Sequence, residues 1–134
     1  MMKLRFSLND NISAQDFVDL LERSGLAQRR PVENTHCIEG MLKHTNLSVS
    51  AWQANKLVGI ARSVTDFHYA CYLSDLAVDS QFQGMGIGRA LIDESQKALE
   101  DTCKLILLAA PDADSYYEHL GFTRNPRAWV KEST

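Results

Sequence analysis

The segment Gln83-Gly84-Met85-Gly86-Ile87-Gly88-Arg89-Ala90 decides the fold, because it joins a predicted strand ending near Val78 to a predicted helix. Its glycines permit tight backbone turns, and the first turn of a helix presents unpaired N–H groups at the positive end of the helix dipole. We therefore predict a strand, a turn and a helix in that order, with the turn shaped to hold a pyrophosphate.

The spacing of these glycines separates the segment from two other phosphate-binding loops. No Lys-Ser or Lys-Thr pair follows Gly84 at the distance that a P-loop requires. A dinucleotide loop starting at Gly84 would need a glycine at position 89 and an acid about 20 residues on, where Leu105 to Leu108 lie. ATP, GTP and nicotinamide cofactors are therefore disfavoured, and a tight turn without a ligand is the remaining alternative.

Two helices are predicted before this segment. Ser13 is a typical N-cap, apolar residues follow it at helical spacing, and Gly25 can end the helix. A second helix is predicted from about Val32 to Lys43, with Ile38, Met41 and Leu42 on one side.

From Leu47 the apolar period becomes two, which is typical of a strand. Leu47, Val49 and Ala51 alternate with Ser48, Ser50 and Trp52, and a turn at residues 54–56 precedes the apolar run 57–61. A second turn at Thr65-Asp66-Phe67 leads into a strand from Tyr69 to Val78. Three consecutive strands therefore predict an antiparallel meander.

The remainder of the chain predicts a helix from about Gly86 to Asp101, and then an apolar run, Leu105 to Ala110, typical of a central strand covered on both faces. A short helix from about Ala113 to Leu120 ends at Gly121, and further strands are predicted at Phe122 and at 128–130. The predicted fold class is α/β (α+β), with one mixed sheet and about four helices.

Length and composition favour one globular domain covering residues 1–134. The chain is 45% hydrophobic and 23% charged, and its net charge of −3 supplies no positive field for nucleic acid. The three cysteines are far apart and the four histidines have no metal-ligand spacing, so neither disulfides nor a metal is expected. No signal peptide or membrane span is evident, so we expect a cytoplasmic protein without a membrane partner.

Two separated motifs together resemble one family. Gln83-x-x-Gly86-x-Gly88, preceded by the strand Leu73 to Val78, resembles the acetyl-coenzyme A loop of the GCN5-related N-acetyltransferase (GNAT) family. Tyr116-Tyr117-Glu118-His119-Leu120-Gly121-Phe122 is similar to the later signature of that family, with one helix and one strand between the two. The resemblance implies a mostly antiparallel central sheet flanked by about four helices. The chain departs from the family at Ala110, where many members carry Asn.

The resemblance implies a binding site for the cosubstrate acetyl-coenzyme A. The backbone of Leu76, Ala77 and Val78 would pair with the pantetheine arm, and the Leu76 N–H would be the oxyanion donor. The pyrophosphate would be held by backbone N–H groups from Gly84 through Ala90 and by an optional charged contact from Arg89. The residues implied in this cofactor site are Leu76, Ala77, Val78, Gln83, Gly84, Met85, Gly86, Ile87, Gly88, Arg89 and Ala90.

The resemblance also assigns Tyr117 as the general acid that protonates the departing thiolate. A free phenol has a pKa near 10 and a thiol one near 8.5, so this transfer is uphill in water. Packing on the cosubstrate is the alternative role of Tyr117, and Tyr116 is expected to be the core aromatic of the pair.

The general base and the acceptor site are left open by the sequence. Strand alternation predicts Tyr72, Ser74 and Leu76 on one face and Asp75 on the other, so Tyr72 or Ser74 could relay a proton through water. Asp66 and His68 are alternative bases near the preceding turn. Residues that could line an acceptor pocket are Arg62, Trp52, His36 and Glu33. Each is better explained structurally: Trp52 as a core or sheet-face residue, Arg62 at an exposed strand position, and His36 and Glu33 at a solvated helix start.

The leading hypothesis is an N-acetyltransferase that transfers an acetyl group from acetyl-coenzyme A to a small primary amine by direct transfer in a ternary complex. One alternative is acetylation of a protein lysine or N-terminus, and another is an idle acetyl-coenzyme A sensor. A homodimer could cover an open sheet edge.

Overall fold

One five-stranded sheet forms the centre of the computed structural model, which describes residues 3–133. The strands lie in the order β1, β2, β3, β4, β5; the first four are antiparallel, and β5 runs parallel to β4. The strands are β1 Arg5–Leu8, β2 Leu47–Gln53, β3 Lys56–Thr65, β4 Ala70–Val78 and β5 Lys104–Ile106; the α-helices are α1 Ala14–Ser24, α2 Thr35–Lys43, α3 Ile87–Lys97 and α4 Asp114–His119. The predicted fold class and the meander of β2, β3 and β4 are confirmed.

The helix ends follow from local chemistry. The Ser13 side chain accepts a hydrogen bond from the Asp16 N–H, and Gly25 ends α1 in the left-handed conformation with φ of 86°. The Asn34 side chain accepts from the Cys37 N–H, so α2 begins at Thr35 and not at the predicted Val32.

The helices pack on both faces of the sheet. On one face α3 buries Leu91 and Ile92 against Val58 of β3 and neighbouring strand residues. On the other face Phe17 of α1 and Ile38 of α2 pack with residues of β3 and β4. We call these the α3 face and the α1/α2 face.

A β-bulge in β4 changes which side chains share a face. Arg62 pairs with Asp75 and Ser63 pairs with Leu73, so Ser74 has no partner in β3. Leu73 before the bulge and Leu76 beyond it both pack in the α3 cluster although they are three residues apart, so Tyr72, next to Leu73, lies on the opposite face from Leu76. The predicted common face for Tyr72, Ser74 and Leu76 is therefore wrong, because the extra residue reverses the alternation.

Strands β4 and β5 pair over three residues only. Ala70 to Tyr72 pair with Lys104 to Ile106, and no strand within residues 3–133 pairs with 73–78 on the side away from β3. We call this side the open edge of β4.

Four predictions need correction. Of the predicted central strand Leu105 to Ala110, only Leu105 and Ile106 lie in a strand, the short edge strand β5, and Ile106 is exposed. Helix α3 ends at Lys97, before the predicted Asp101. No strand forms among residues 122–133, so the strands predicted at Phe122 and at 128–130 are wrong. Strand β1 was not predicted, because four residues carry too short a pattern.

Candidate active site

A cleft of about 1230 Å³ lies along the open edge of β4. Its walls come from β4, from the chain after β5, from the segment that follows α1, and from Tyr117 of α4. Among its lining residues are Leu76, Ala77, Val78, Gln83, Ala110 and Tyr117, all of which lie at positions singled out in the sequence. The structure therefore brings Gln83 of the first motif and Tyr117 of the second to one cleft, whereas residues 84–90 follow Gln83 and do not line it.

The open edge is closed at each end by a side chain. The Gln83 side-chain amide donates to the Val78 carbonyl at 3.0 Å, and the Arg30 Nη2 donates to the Ser74 carbonyl at 2.7 Å. Alternate residues of a strand direct their backbone groups to the same side. Leu76 lies between these two ends, so its N–H and C=O point into the cleft as those of Val78 do.

The glycine-rich turn presents a row of backbone donors. Gly84 and Gly86 have φ of 80° and 81°, a conformation that other residues rarely adopt. Within the described chain, the N–H groups of residues 84–89 donate to no protein acceptor. The Ala90 N–H differs from its prediction, because it makes the first bond of α3 to the Gly86 carbonyl at 3.0 Å.

The side chains of this turn have distinct surroundings. Ile87 is buried in the core and Met85 is exposed. The Arg89 Nη2 donates to the His119 carbonyl at 3.0 Å, so its guanidinium ties α3 to the end of α4.

Tyr117 is half-buried in the wall of the cleft. Its ring meets those of Tyr116 and Phe122 edge to face, with centroid distances of 5.3 Å and 5.5 Å. Burial raises the pKa of Tyr117 above its ordinary value, the Tyr116 phenol adds to this, and Arg30 opposes it. The Tyr117 phenol therefore keeps its proton at neutral pH.

Asp66 and His68, the two candidate bases near the turn between β3 and β4, lie outside the cleft. Asp66 accepts hydrogen bonds from the N–H groups of His68, Tyr69 and Ala70, which close the turn between β3 and β4. The Tyr69 bond, followed by those of Ala70 and His68, lowers the pKa of Asp66. Neither Asp66 nor His68 lines the cleft, whereas Tyr72 and Ser74 do.

The four residues considered for an acceptor pocket do not meet in the cleft. Arg62 is only 4% exposed, not at an exposed strand position, and the Trp52 indole N–H donates to the Ser50 hydroxyl. His36 and Glu33 are exposed.

A buried ion cluster beside the bulge was not predicted. Asp75 accepts at one oxygen from the Arg30 Nε and at the other from the Arg62 Nε, each at 2.5 Å. Arg62 also donates to the Ser74 hydroxyl at 2.9 Å. An acid inside a mostly apolar strand was the available signal, because a buried carboxylate requires a cation.

Among residues 3–133, no group of three or more His, Cys, Asp or Glu side chains could hold a metal ion. No helix in this range is long and apolar enough to cross a membrane.

Comparison with known proteins identifies the family. The profile described as the Acetyltransferase (GNAT) domain matches residues 21–132, and the chain belongs to this family of acetyltransferases. The resemblance seen in the two motifs is thereby confirmed, and the chain is an N-acetyltransferase.

Relatives and solved structures agree with this assignment. The chain is 30% identical over 122 residues to the uncharacterized N-acetyltransferase ycf52 of Porphyra purpurea, covering 87% of this chain and 68% of the relative. A GNAT family acetyltransferase of Streptococcus pneumoniae has a TM-score of 0.72 at 18% identity, over 98% of this chain and 100% of the other. An aminoglycoside N-acetyltransferase in complex with CoA has a TM-score of 0.75 at 16% identity, over 99% and 96%.

Proposed function

We propose that the chain acetylates the primary amine of a small molecule with acetyl-coenzyme A, by direct transfer in a ternary complex. The observation that carries this proposal is the exposed backbone of Leu76, which faces a cleft that Tyr117 also lines. An amide donor and a protonated phenol at one cleft are the two groups that acyl transfer from a thioester needs.

The cleft, together with the glycine-rich turn that directly follows its lining residue Gln83, fits coenzyme A. Six unpaired N–H groups, at residues 84–89, match the acceptor oxygens of a pyrophosphate at the N-terminus of α3. The open edge of β4 leaves backbone groups of Leu76 free to pair with an amide-bearing arm. Residues proposed to hold the cosubstrate are Leu76, Ala77, Val78, Gln83, Gly84, Met85, Gly86, Ile87, Gly88 and Arg89.

The chain would assist the reaction at two atoms. Bound acetyl-coenzyme A supplies the thioester that the amine attacks. The Leu76 N–H would donate to the oxygen on which charge develops, a contact worth about 3 kcal/mol in other enzymes. The Tyr117 O–H would donate to the departing sulfur. Because its pKa is raised, Tyr117 acts chiefly as a hydrogen-bond donor and yields its proton late.

Proton removal from the amine is assigned to water in the cleft. Tyr72 and Ser74 line the cleft and could order that water, but the Ser74 hydroxyl already accepts from Arg62. Direct transfer is favoured over an acyl-cysteine route because Cys71 is buried and burial raises the pKa of its thiol.

A protein acceptor is the second candidate. The chain is 27% identical over 134 residues to a Glycine max protein named histone acetyltransferase TAP1, covering 90% of this chain and 56% of that protein. A protein acceptor predicts turnover on lysine peptides and little on free amines.

The experiment follows thiol release from acetyl-coenzyme A over polyamines, aromatic amines, amino sugars, amino acids and lysine peptides. Turnover of one small-amine class above hydrolysis supports the proposal, and turnover of peptides alone supports the second candidate. Binding of acetyl-coenzyme A without turnover would contradict both and favour a sensor.

Three further expectations stay predictions: a single domain over residues 1–134, a cytoplasmic location and a homodimer. The exposed edge of β5 supports the last of these.

A further inference from the structure

Arg30 stands at the point where β4 and β5 separate. Pairing of the two strands ends at Tyr72 and Ile106, and the Ser74 carbonyl follows two residues later. The Arg30 Nη2 donates a hydrogen bond to that carbonyl at 2.7 Å. In the described chain, the N–H groups of residues 108–110, just after β5, donate to no protein acceptor.

The cleft depends on this separation. A carbonyl at a strand edge attracts any backbone N–H nearby, because unpaired backbone groups are costly. The segment 108–110 lines the cleft opposite β4 and carries such N–H groups. Something must occupy the Ser74 carbonyl if the two segments are to stay apart.

The buried carboxylate of Asp75 holds the Arg30 guanidinium in this position. The Arg30 Nε donates to Asp75 at 2.5 Å, and the other oxygen of Asp75 is taken by Arg62. Arg62 in turn donates to the Met41 carbonyl and the Thr45 hydroxyl at 3.1 Å each, at the end of α2. The Asp75 side chain is 0% exposed and that of Arg30 is 22% exposed. The Arg30 Nε is therefore held by a buried carboxylate, while Nη2 of the same guanidinium reaches the Ser74 carbonyl at the cleft.

We propose that Arg30 is a positioning residue that keeps β4 and β5 apart by occupying the Ser74 carbonyl, and so keeps the Leu76 backbone open to the cosubstrate. Only the effect on cosubstrate access to the Leu76 backbone rests on the proposed function. The separation itself is a property of the free protein.

Amide hydrogen exchange of the ligand-free protein tests the separation directly. Arg30→Ala frees the Ser74 carbonyl, so segment 108–110 pairs with β4 and its exchange slows about fivefold, as one new backbone hydrogen bond would produce. A general loss of stability would instead speed exchange, so the direction separates positioning from a purely structural role.

A matched control removes the same charge at the preceding residue, Arg29. Arg29 also lines the cleft, but within residues 3–133 its side chain forms no hydrogen bond or ion pair with the bulge, so Arg29→Ala leaves exchange at 108–110 unchanged. Equal slowing in Arg29→Ala would overturn the proposal in favour of a general charge effect. Unchanged or faster exchange at 108–110 in the Arg30 variant would overturn it as well.

A second variant, Arg30→Lys, tests the same role if Arg30→Ala folds poorly. Arg30→Lys keeps one cation for Asp75 but has no planar fork to reach the Ser74 carbonyl, so exchange should slow in the same direction. Coenzyme A binding, measured by calorimetry, should weaken about fivefold in both variants if the arm uses the open edge. If the unaltered protein binds no coenzyme A, the proposed function fails while the exchange result still decides the role of Arg30.

Discussion

The phenol oxygen of Tyr116 occupies the space beside Gly88: a Cβ on Gly88 would lie 2.0 Å from that oxygen. Gly88 has no positive φ, unlike Gly84 and Gly86, so position 88 needs glycine for space and not for backbone conformation. Tyr116 was expected in the core, yet it is 40% exposed and covers the first turn of α3. The two sequence motifs therefore meet through this contact.

Replacing Gly88 with Ala should displace the Tyr116 hydroxyl, and because that side chain is 40% exposed and can turn aside, the free energy of unfolding should fall by about 1 kcal/mol, the lower end of the cost of overpacking. Adding Tyr116→Phe should restore most of the loss, because the next ring atom, Cζ, is 3.3 Å from the Cβ position. Urea unfolding of the single and double variants measures this coupling.

Gly84→Ala is the matched control for that cycle. Position 84 has open space around it but a φ of 80°, so the cost there is backbone strain. Tyr116→Phe should not relieve it. Absence of rescue at position 88 would contradict the steric explanation.

Replacing Tyr117 with Phe should lower kcat about a hundredfold, in the range of a lost general acid. The ring contacts with Tyr116 and Phe122 are retained, so the melting temperature should stay unchanged. Steady-state kinetics with the best amine of the panel gives the measurement. An unchanged kcat would leave Tyr117 only the packing role.

The pH dependence of this effect follows from the direction of the pKa shift. Burial raises the pKa of Tyr117, Tyr116 raises it further, and Arg30 lowers it by less. The phenol assists only while it is protonated. Its contribution is therefore fully present at low pH and is lost as pH rises through a value above about 10. The ratio of kcat between the unaltered enzyme and Tyr117→Phe should stay constant from about pH 6 to 9. A ratio that falls within this range would contradict the shift.

Asp66→Asn should leave the pH profile of kcat/KM unchanged. Three backbone N–H groups, that of Tyr69 foremost, lower the pKa of Asp66, so its carboxylate is a weak base, and it lies outside the cleft. Asn keeps an acceptor oxygen for the turn. Loss of an acidic limb in the variant would restore Asp66 as a candidate base.

Local patterns predicted the elements that depend on neighbours in sequence. The cap at Ser13, the turn at residues 54–56 and the glycine-rich turn are each decided within a few residues. The length and position of β5 were mispredicted because an apolar run does not show how far a partner strand pairs with it. The bulge at Ser74 was not predicted because the alternation of side chains gives no sign of an inserted residue.

Contacts between distant segments lay beyond such patterns. Arg30 is 45 residues from Asp75, and a lone arginine after α1 is usually solvated. The buried position of Arg62 likewise depends on the ends of α2 and on Asp75, which the sequence does not place together.

Asp75→Asn should be the most destabilising conservative change in the sheet. Asn keeps the shape of the side chain but removes the charge that two arginines share, and breaking a buried pair in this way costs about 3–5 kcal/mol. Arg62 is almost fully buried and cannot turn to water, so it carries most of this loss. Urea unfolding measures the change, and Glu94→Gln, which removes an exposed ion pair with Lys97, should show none. If Asp75→Asn were no more destabilising than Glu94→Gln, the cluster would not hold the bulge, and the anchoring of Arg30 would need another cause.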